Sequence, residues 1–271
     1  MSKAISKQSL ETNNFIPSIL VIAFLLVGFV PNIEAVDKVA PQWVYLTIFN
    51  IISSVYLFFN RNRYEKIILS VLNSGISILY IAFFLWAGLS YFYSINPIEA
   101  LVNIPRHLNT LLMYLYIGVF IYNLKEKKFL VSSLITIVLS IEVYSVFIQA
   151  MDMISNSGSI YADNLKGVTA NRNITAFSIA LKIPFVLYLI DVVKNKYFLS
   201  FLLGLVFFSL LDLSLISSRA SFIAVGLILV GYIFIYLFKV FILKKPKKIF
   251  LKIGFYVVPL ILAISINQLY F

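Results

Sequence analysis

Long apolar runs separated by short polar breaks recur along the whole chain, and their length carries the first message. A helix crossing about 30 Å of hydrocarbon needs roughly 20 consecutive, mostly apolar residues. Nine stretches meet that demand: residues 15–31, 42–59, 67–92, 106–123, 129–150, 174–193, 197–216, 220–243 and 249–270. None shows sustained alternation of apolar and polar positions. The pattern therefore speaks against a β-barrel and predicts an all-α, polytopic transmembrane helix bundle. The first stretch follows Lys3 and Lys7 as a signal peptide would, yet no small-residue cleavage site comes after it, so it reads as a retained helix. No internal repeat, low-complexity tract or linker divides the chain, and residues 1–271 read as one transmembrane helical domain. The longest polar break, 151–173, is rich in Asn, Ser and Gly and is a candidate functional loop.

Composition agrees with this pattern. Of 271 residues, 61% are hydrophobic and only 12% charged, leaving too little polar surface for a water-soluble domain of this length. Lys and Arg number 22 against 11 Asp and Glu, a formal charge of +11 that in a soluble protein would point to nucleic acid. Here the positions matter more than the sum. Sixteen of the basic residues fall at the N-terminus and in every second break, and six fall elsewhere. The positive-inside rule then places the N-terminus in the cytoplasm, and nine crossings place the C-terminus outside. The charge is explained by topology, without nucleic acid. Trp43, Tyr45, Tyr91 and Tyr93 sit near outer span ends, where amphipathic rings favour the interface. The chain has no Cys and one His, so neither a thiolate metal site nor an imidazole cluster is expected. No Walker loop, Gly-rich dinucleotide turn, carboxylate-rich metal motif or Ser/His/Asp constellation is present, so no metal and no cofactor are expected.

The exceptions to the positive-inside pattern are the informative residues. Three arginines lie on the outer side, each at the expected start of a helix running inward: Arg106, Arg172 and Arg219. Pro105 precedes Arg106 and suits a first helical turn; Asn171 and Asn173 flank Arg172; Ser217 and Ser218 precede Arg219 as candidate caps. A helix entering from outside turns its free N–H groups and the positive end of its dipole outward. A guanidinium there adds charge and paired donors, a combination that favours phosphate or pyrophosphate. The competing reading is that each arginine simply reaches lipid headgroups.

Ionisable residues inside the spans add a second signal. Glu142 and Lys182 each lie about eight residues from an outer helix end, roughly 12 Å deep. They read as a structural intramembrane pair, with a proton relay as the functional alternative. Asp212, seven residues before Arg219, reads as a group that orients that arginine or acts on an acceptor hydroxyl. His107 is the only imidazole, either a headgroup neighbour or a general base.

Two motifs carry a family resemblance. Gly167-Val168-Thr169-Ala170-Asn171-Arg172-Asn173-Ile174-Thr175-Ala176 precedes Pro184 within a helix, and Ser217-Ser218-Arg219-Ala220-Ser221 opens a strongly apolar one. Together with Ser94, Pro97 and Ala100 before the fourth span, they resemble the paired signatures of the O-antigen ligase and O-antigen polymerase family, over roughly residues 90–245. Arg172 departs from the Pro often found between the two asparagines. The resemblance implies a multi-pass glycosyltransferase of the bacterial inner membrane, active on the periplasmic face. It implies an undecaprenyl-pyrophosphate-linked glycan as donor, and a growing glycan, a lipid A core or a protein as acceptor, in contact with membrane lipid. Arg219 is then the first choice for contact with pyrophosphate, ahead of Arg172 and Arg106, with Asp212, Asn171, Asn173, Ser218 and His107 in support. Members usually carry a large periplasmic loop with a His base beyond these helices. By that standard the chain reads as an N-terminal fragment or a truncated member, and His107 does not match the loop His. The alternatives are a transporter or flippase of lipid-linked sugar, motivated by Glu142 and Lys182, and a noncatalytic membrane subunit, motivated by the missing base.

Overall fold

The computed structural model describes residues 15–31, 37, 39–122, 124, 126–169 and 171–243, together with the single positions 254, 258, 261 and 265. Every regular element among them is helical. In chain order they are α1 (Phe15–Leu25, continued as a 3-10 turn Leu26–Phe29), α2 (Ala40–Phe59), α3 (Arg61–Leu72), α4 (Gly75–Leu89, with a 3-10 turn Ser90–Phe92), α5 (Pro97–Tyr122), α6 (Lys127–Ser157), α7 (Arg172–Val192), α8 (Lys196–Ile216) and α9 (Arg219–Leu243). Two 3-10 turns, Ala162–Asn164 and Gly167–Thr169, lie between α6 and α7. Five segments are long and apolar enough to cross a membrane: Ala40–Phe59, Gly75–Phe92, Lys127–Ser157, Arg172–Val192 and Lys196–Ile216. The chain is a membrane protein by that criterion. The ninth expected span, 249–270, lies outside the described residues except for helical positions at 254, 258, 261 and 265, as do Lys3 and Lys7.

Several span edges differ from the sequence reading, each for a local reason. The stretch 67–92 is broken at Asn73–Ser74, where the Ser74 hydroxyl caps α4 by accepting from the Ser77 amide at 3.2 Å. The helix expected as the fourth span, α5, starts at Pro97 rather than 106, and it is not among the five segments long and apolar enough to cross a membrane. Asn96 Oδ1 accepts from the Glu99 amide at 3.3 Å while its Nδ2 donates to Glu99 Oε2 at 3.4 Å, and Pro97 takes the first helical position. Pro105 is consequently inside α5. At the other end of the expected loop, α6 runs on to Ser157 and stops at Gly158, whose φ of +67° suits a helix-ending glycine.

The chain divides into two compact units, residues 1–127 and 128–271. In the N-terminal unit α5 is the hub, packed by α1, α2, α3 and α4. A seam of hydrogen bonds lines it: Asn50 Nδ2 donates to Asn109 Oδ1 at 2.9 Å, and Asn109 Nδ2 to Thr47 Oγ1 at 3.1 Å. Tyr80 donates to Thr110 Oγ1 at 3.3 Å, while the Ser77 and Tyr114 hydroxyls meet at 3.2 Å. Where apolar burial gives helices little reason to choose one neighbour over another, such bonds fix register.

In the C-terminal unit α7 is central, packing on α8 and α9. Its buried face, with Ala176, Ile179, Ala180, Ile183, Val186 and Leu187, meets Leu202, Val206, Leu210 and Leu213 of α8 and Val225 of α9. Leu139, Val143, Val146 and Ala150 of α6 complete this core. Asn195 caps α8 by accepting from the Tyr197 and Phe198 amides at 2.9 and 3.2 Å.

Candidate functional site

The three arginines singled out in the sequence have three different surroundings. Arg106 does not open a helix: it lies within α5, directly after Pro105. Its Nη2 donates to Asp37 Oδ2 at 2.7 Å, and its guanidinium stands 5.8 Å from the centroid of the Trp43 ring. Asp37 Oδ1 in turn accepts from the Val39 amide at 3.1 Å, just ahead of α2. Arg106 is thereby tied to the entry of α2. His107, next to it, is exposed, and its carbonyl accepts from Thr110 Oγ1 at 2.9 Å.

Arg172 is the first residue of α7. Asn171 is its N-cap, the side-chain oxygen accepting from the amides of Asn173 at 2.9 Å and Ile174 at 3.4 Å. The guanidinium makes an ion pair with Asp163, in the loop between α6 and α7. That loop is held to the helices rather than free. Gln149 Oε1 accepts from the amides of Lys166 and Gly167 at 3.1 and 2.9 Å, and Thr175 Oγ1 donates to the Lys166 carbonyl at 2.5 Å. Leu165 is fully buried in the core. Gly167, at φ +53°, fits because a Cβ there would stand 2.9 Å from Thr175 Cγ2. Gln149 and Leu165 were not singled out in the sequence, where a lone amide near a span end carries no signal.

Arg219 is the first residue of α9, follows two serines, and is exposed without an ion pair or hydrogen bond among the described residues. Ser217 takes a left-handed conformation, φ +55°, that ends α8 and reverses the chain. The Ser218 hydroxyl pairs with that of Ser221 at 3.1 Å.

The relation between these last two helix starts decides what the site can do. Three residues join α7 to α8 and two join α8 to α9, so α7 and α9 run in the same direction. Tyr232 donates its hydroxyl to the Pro184 carbonyl at 3.0 Å. Pro184 lies twelve residues after Arg172, and Tyr232 thirteen after Arg219. The two N-termini therefore share one level to within about a turn, on adjacent helices whose axes pack about 8–10 Å apart. Two positive dipole ends and two arginines stand at one end of the unit, with the Asn173 and Ile174 amides of α7 already taken by the Asn171 side chain. No family model, curated protein or solved structure matches the chain.

Below that end lie the intramembrane ionisable groups. Lys182 Nζ donates to both Glu142 oxygens at 2.9 Å, and Ser178 Oγ donates to Glu142 Oε1 at 3.0 Å. Lys182 Nζ also reaches the Ser178 carbonyl at 3.3 Å and the Ser178 hydroxyl. Asp212, in α8, is 0% exposed, and neither carboxylate oxygen has a hydrogen-bond partner among the described residues. It makes no ion pair with Arg219. No group of three His, Asp or Glu side chains is placed to hold a metal among the described residues.

Proposed function

We propose that the chain binds the pyrophosphate of a lipid-linked glycan and belongs to the machinery that transfers or polymerises that glycan, in the manner of an O-antigen ligase or polymerase. In this reading it is a multi-pass protein of the bacterial inner membrane with nine spans and its N-terminus in the cytoplasm. The paired starts of α7 and α9 then face the periplasm. The donor is undecaprenyl-pyrophosphate-linked, and the acceptor is a glycan, a lipid A core or a protein.

The observation that carries the reading is the common level of the two adjacent helix starts, set by the Tyr232 to Pro184 hydrogen bond. Breaking a glycosyl bond to a diphosphate leaves negative charge on the departing oxygen. Preorganised N–H groups and guanidinium groups stabilise that charge in a low-dielectric setting. Arg219, uncommitted among the described residues, carries the principal contact. Arg172 adds charge beside it while sharing its guanidinium with Asp163. Arg106, committed to Asp37 and Trp43, takes no part.

The test uses the full chain in nanodiscs with undecaprenyl pyrophosphate as probe and native mass spectrometry as readout. A charge-assisted hydrogen bond of about 1.5–3 kcal/mol predicts at least about a tenfold loss of binding in Arg219→Ala. Arg106→Ala leaves binding unchanged. Equal binding by wild type and Arg219→Ala refutes the assignment.

A further inference from the structure

Helix α3 does not travel along the bundle of the N-terminal unit. Tyr64 meets Phe120 of α5 edge to face, ring centroids 6.4 Å apart. Seven residues later Val71 lies over Gly118, where an added Cβ would stand 3.1 Å from Val71 Cγ1. Seven residues of α3 are about 10 Å of helix, whereas two residues of α5 are about 3 Å. A helix that advances so little along its neighbour crosses it steeply. By contrast, α2 follows α5 throughout, from Trp43 beside Arg106 to Tyr56 beside Phe120. If α2 and α5 cross the membrane, α3 lies near its plane, at the end where α2 and α5 finish.

Its two faces differ accordingly. Tyr64 and Ile67 are buried at 1% and 7% exposure. The Tyr64 phenol meets the Tyr56 hydroxyl at 3.4 Å, and its burial, reinforced by that hydrogen bond, holds it neutral by raising its pKa well above the usual range. Arg61, Asn62, Glu65, Lys66 and Leu69 form the exposed side. A recess of 530 Å³ lies along it, lined by Arg61, Asn62, Glu65, Ile68 and Leu69 among the described residues. The Arg63 guanidinium stands 5.3 Å from the Tyr64 ring centroid. At the same end Lys127 stands 5.3 Å from the Tyr122 ring centroid and donates to the Tyr122 carbonyl at 3.2 Å. The helix thus carries three cations against one carboxylate, with an apolar residue, Leu69, beside them.

We infer that α3 is an interfacial helix whose exposed side binds anionic phospholipid headgroups of the leaflet at that end of the unit. By the distribution of basic residues this is the cytoplasmic leaflet. Its cations sit at headgroup level while Ile68 and Leu69 reach toward the acyl boundary, the division of labour of an amphipathic surface helix. Charge complementarity selects the partner: a phosphate-bearing headgroup of net negative charge rather than a zwitterionic one. Each basic residue near such a surface favours anionic over neutral lipid by about fivefold.

The chain has no Cys, so single cysteines at Asn62 and Leu69 label α3 uniquely. Full-length protein is reconstituted in vesicles of phosphatidylcholine with and without phosphatidylglycerol. Fluorophores at both positions are expected to be quenched most by headgroup-proximal spin labels and least by labels at the acyl chain end. Association of spin-labelled phosphatidylglycerol over phosphatidylcholine is expected to fall about tenfold or more in Arg61→Gln/Lys66→Gln and to fall with added salt in the wild type. Both substitutions are on exposed residues and leave the buried Tyr64 face untouched; circular dichroism checks that helicity is kept. Quenching from the bilayer centre, or a lipid preference unchanged by both the substitutions and salt, overturns the inference.

Discussion

Lys182→Met isolates what the intramembrane ion pair contributes. The substitution keeps most of the aliphatic stem of Lys182 and removes the ammonium that lies 2.9 Å from both Glu142 oxygens. Glu142 stays 7% exposed and keeps only the Ser178 hydroxyl as a partner. An uncompensated carboxylate in that setting costs about 3–5 kcal/mol. Glu142→Leu strands the ammonium, at 19% exposure nearer to polar surroundings, and costs less. Removing both charges together, Glu142→Leu/Lys182→Met, is expected to be close to neutral, because the desolvation penalty of both ions disappears with their attraction. The double-mutant cycle therefore closes with a coupling energy of several kcal/mol. Far-UV circular dichroism during unfolding of the micelle-solubilised chain by sodium dodecyl sulfate reads all four proteins. Losses that simply add across the cycle would falsify the reasoning, because they would mean that neither ion depends on the other.

Two further substitutions test local features of the same unit. Gly167→Ala is expected to destabilise the loop between α6 and α7, because a left-handed residue costs about 1–2 kcal/mol with a side chain, and the new Cβ would meet Thr175 Cγ2 at 2.9 Å. Faster protease cleavage within 158–171 checks it, with Gly204→Ala, where nothing stands within 4 Å, as the insensitive comparison. Asp212→Leu is expected to raise the unfolding midpoint, since an unpartnered buried carboxylate costs about 1–3 kcal/mol or more; a lowered midpoint shows that Asp212 has a stabilising partner.

The helical class was legible because length and apolarity alone separate a spanning helix from a strand, and Asn171 marked the start of α7. The errors came where hydropathy outweighed capping chemistry. Asn96 caps the Glu99 amide and proline takes the first helical position, so Asn96-Pro97-Ile98-Glu99 announces the start of α5 at Pro97. Pro105 drew attention instead because it stands at the apolar edge. Asn73-Ser74 breaks a run that averaged hydropathy treats as continuous, which hid the crosswise path of α3. Gly158 likewise marks the end of α6 seven residues beyond Met151, where the polar break begins. The staple by Gln149 was not legible at all, because its three backbone partners come together only once the loop has folded.

The same reasoning sorts residues that looked equivalent along the chain. An arginine contributes to an anion site in proportion to what it does not already hold, since each existing partner must be given up or shared before a phosphate gains a bond. Arg106 holds a carboxylate and an aromatic face, Arg172 holds a carboxylate alone, each carboxylate in an exposed ion pair worth about 0–1 kcal/mol, and Arg219 holds nothing among the described residues. The order of expected phosphate contact is therefore Arg219, then Arg172, with Arg106 last. The inner acids sort in the same way. Glu142 has its charge answered by Lys182 and Ser178, so exchanging a proton there means breaking an ion pair, which weakens the case for a relay. Asp212 breaks no such pair when it binds a proton. If lipid-linked sugar movement is coupled to protons in this chain, flux into proteoliposomes must therefore be lost in Asp212→Asn and survive in Glu142→Leu/Lys182→Met.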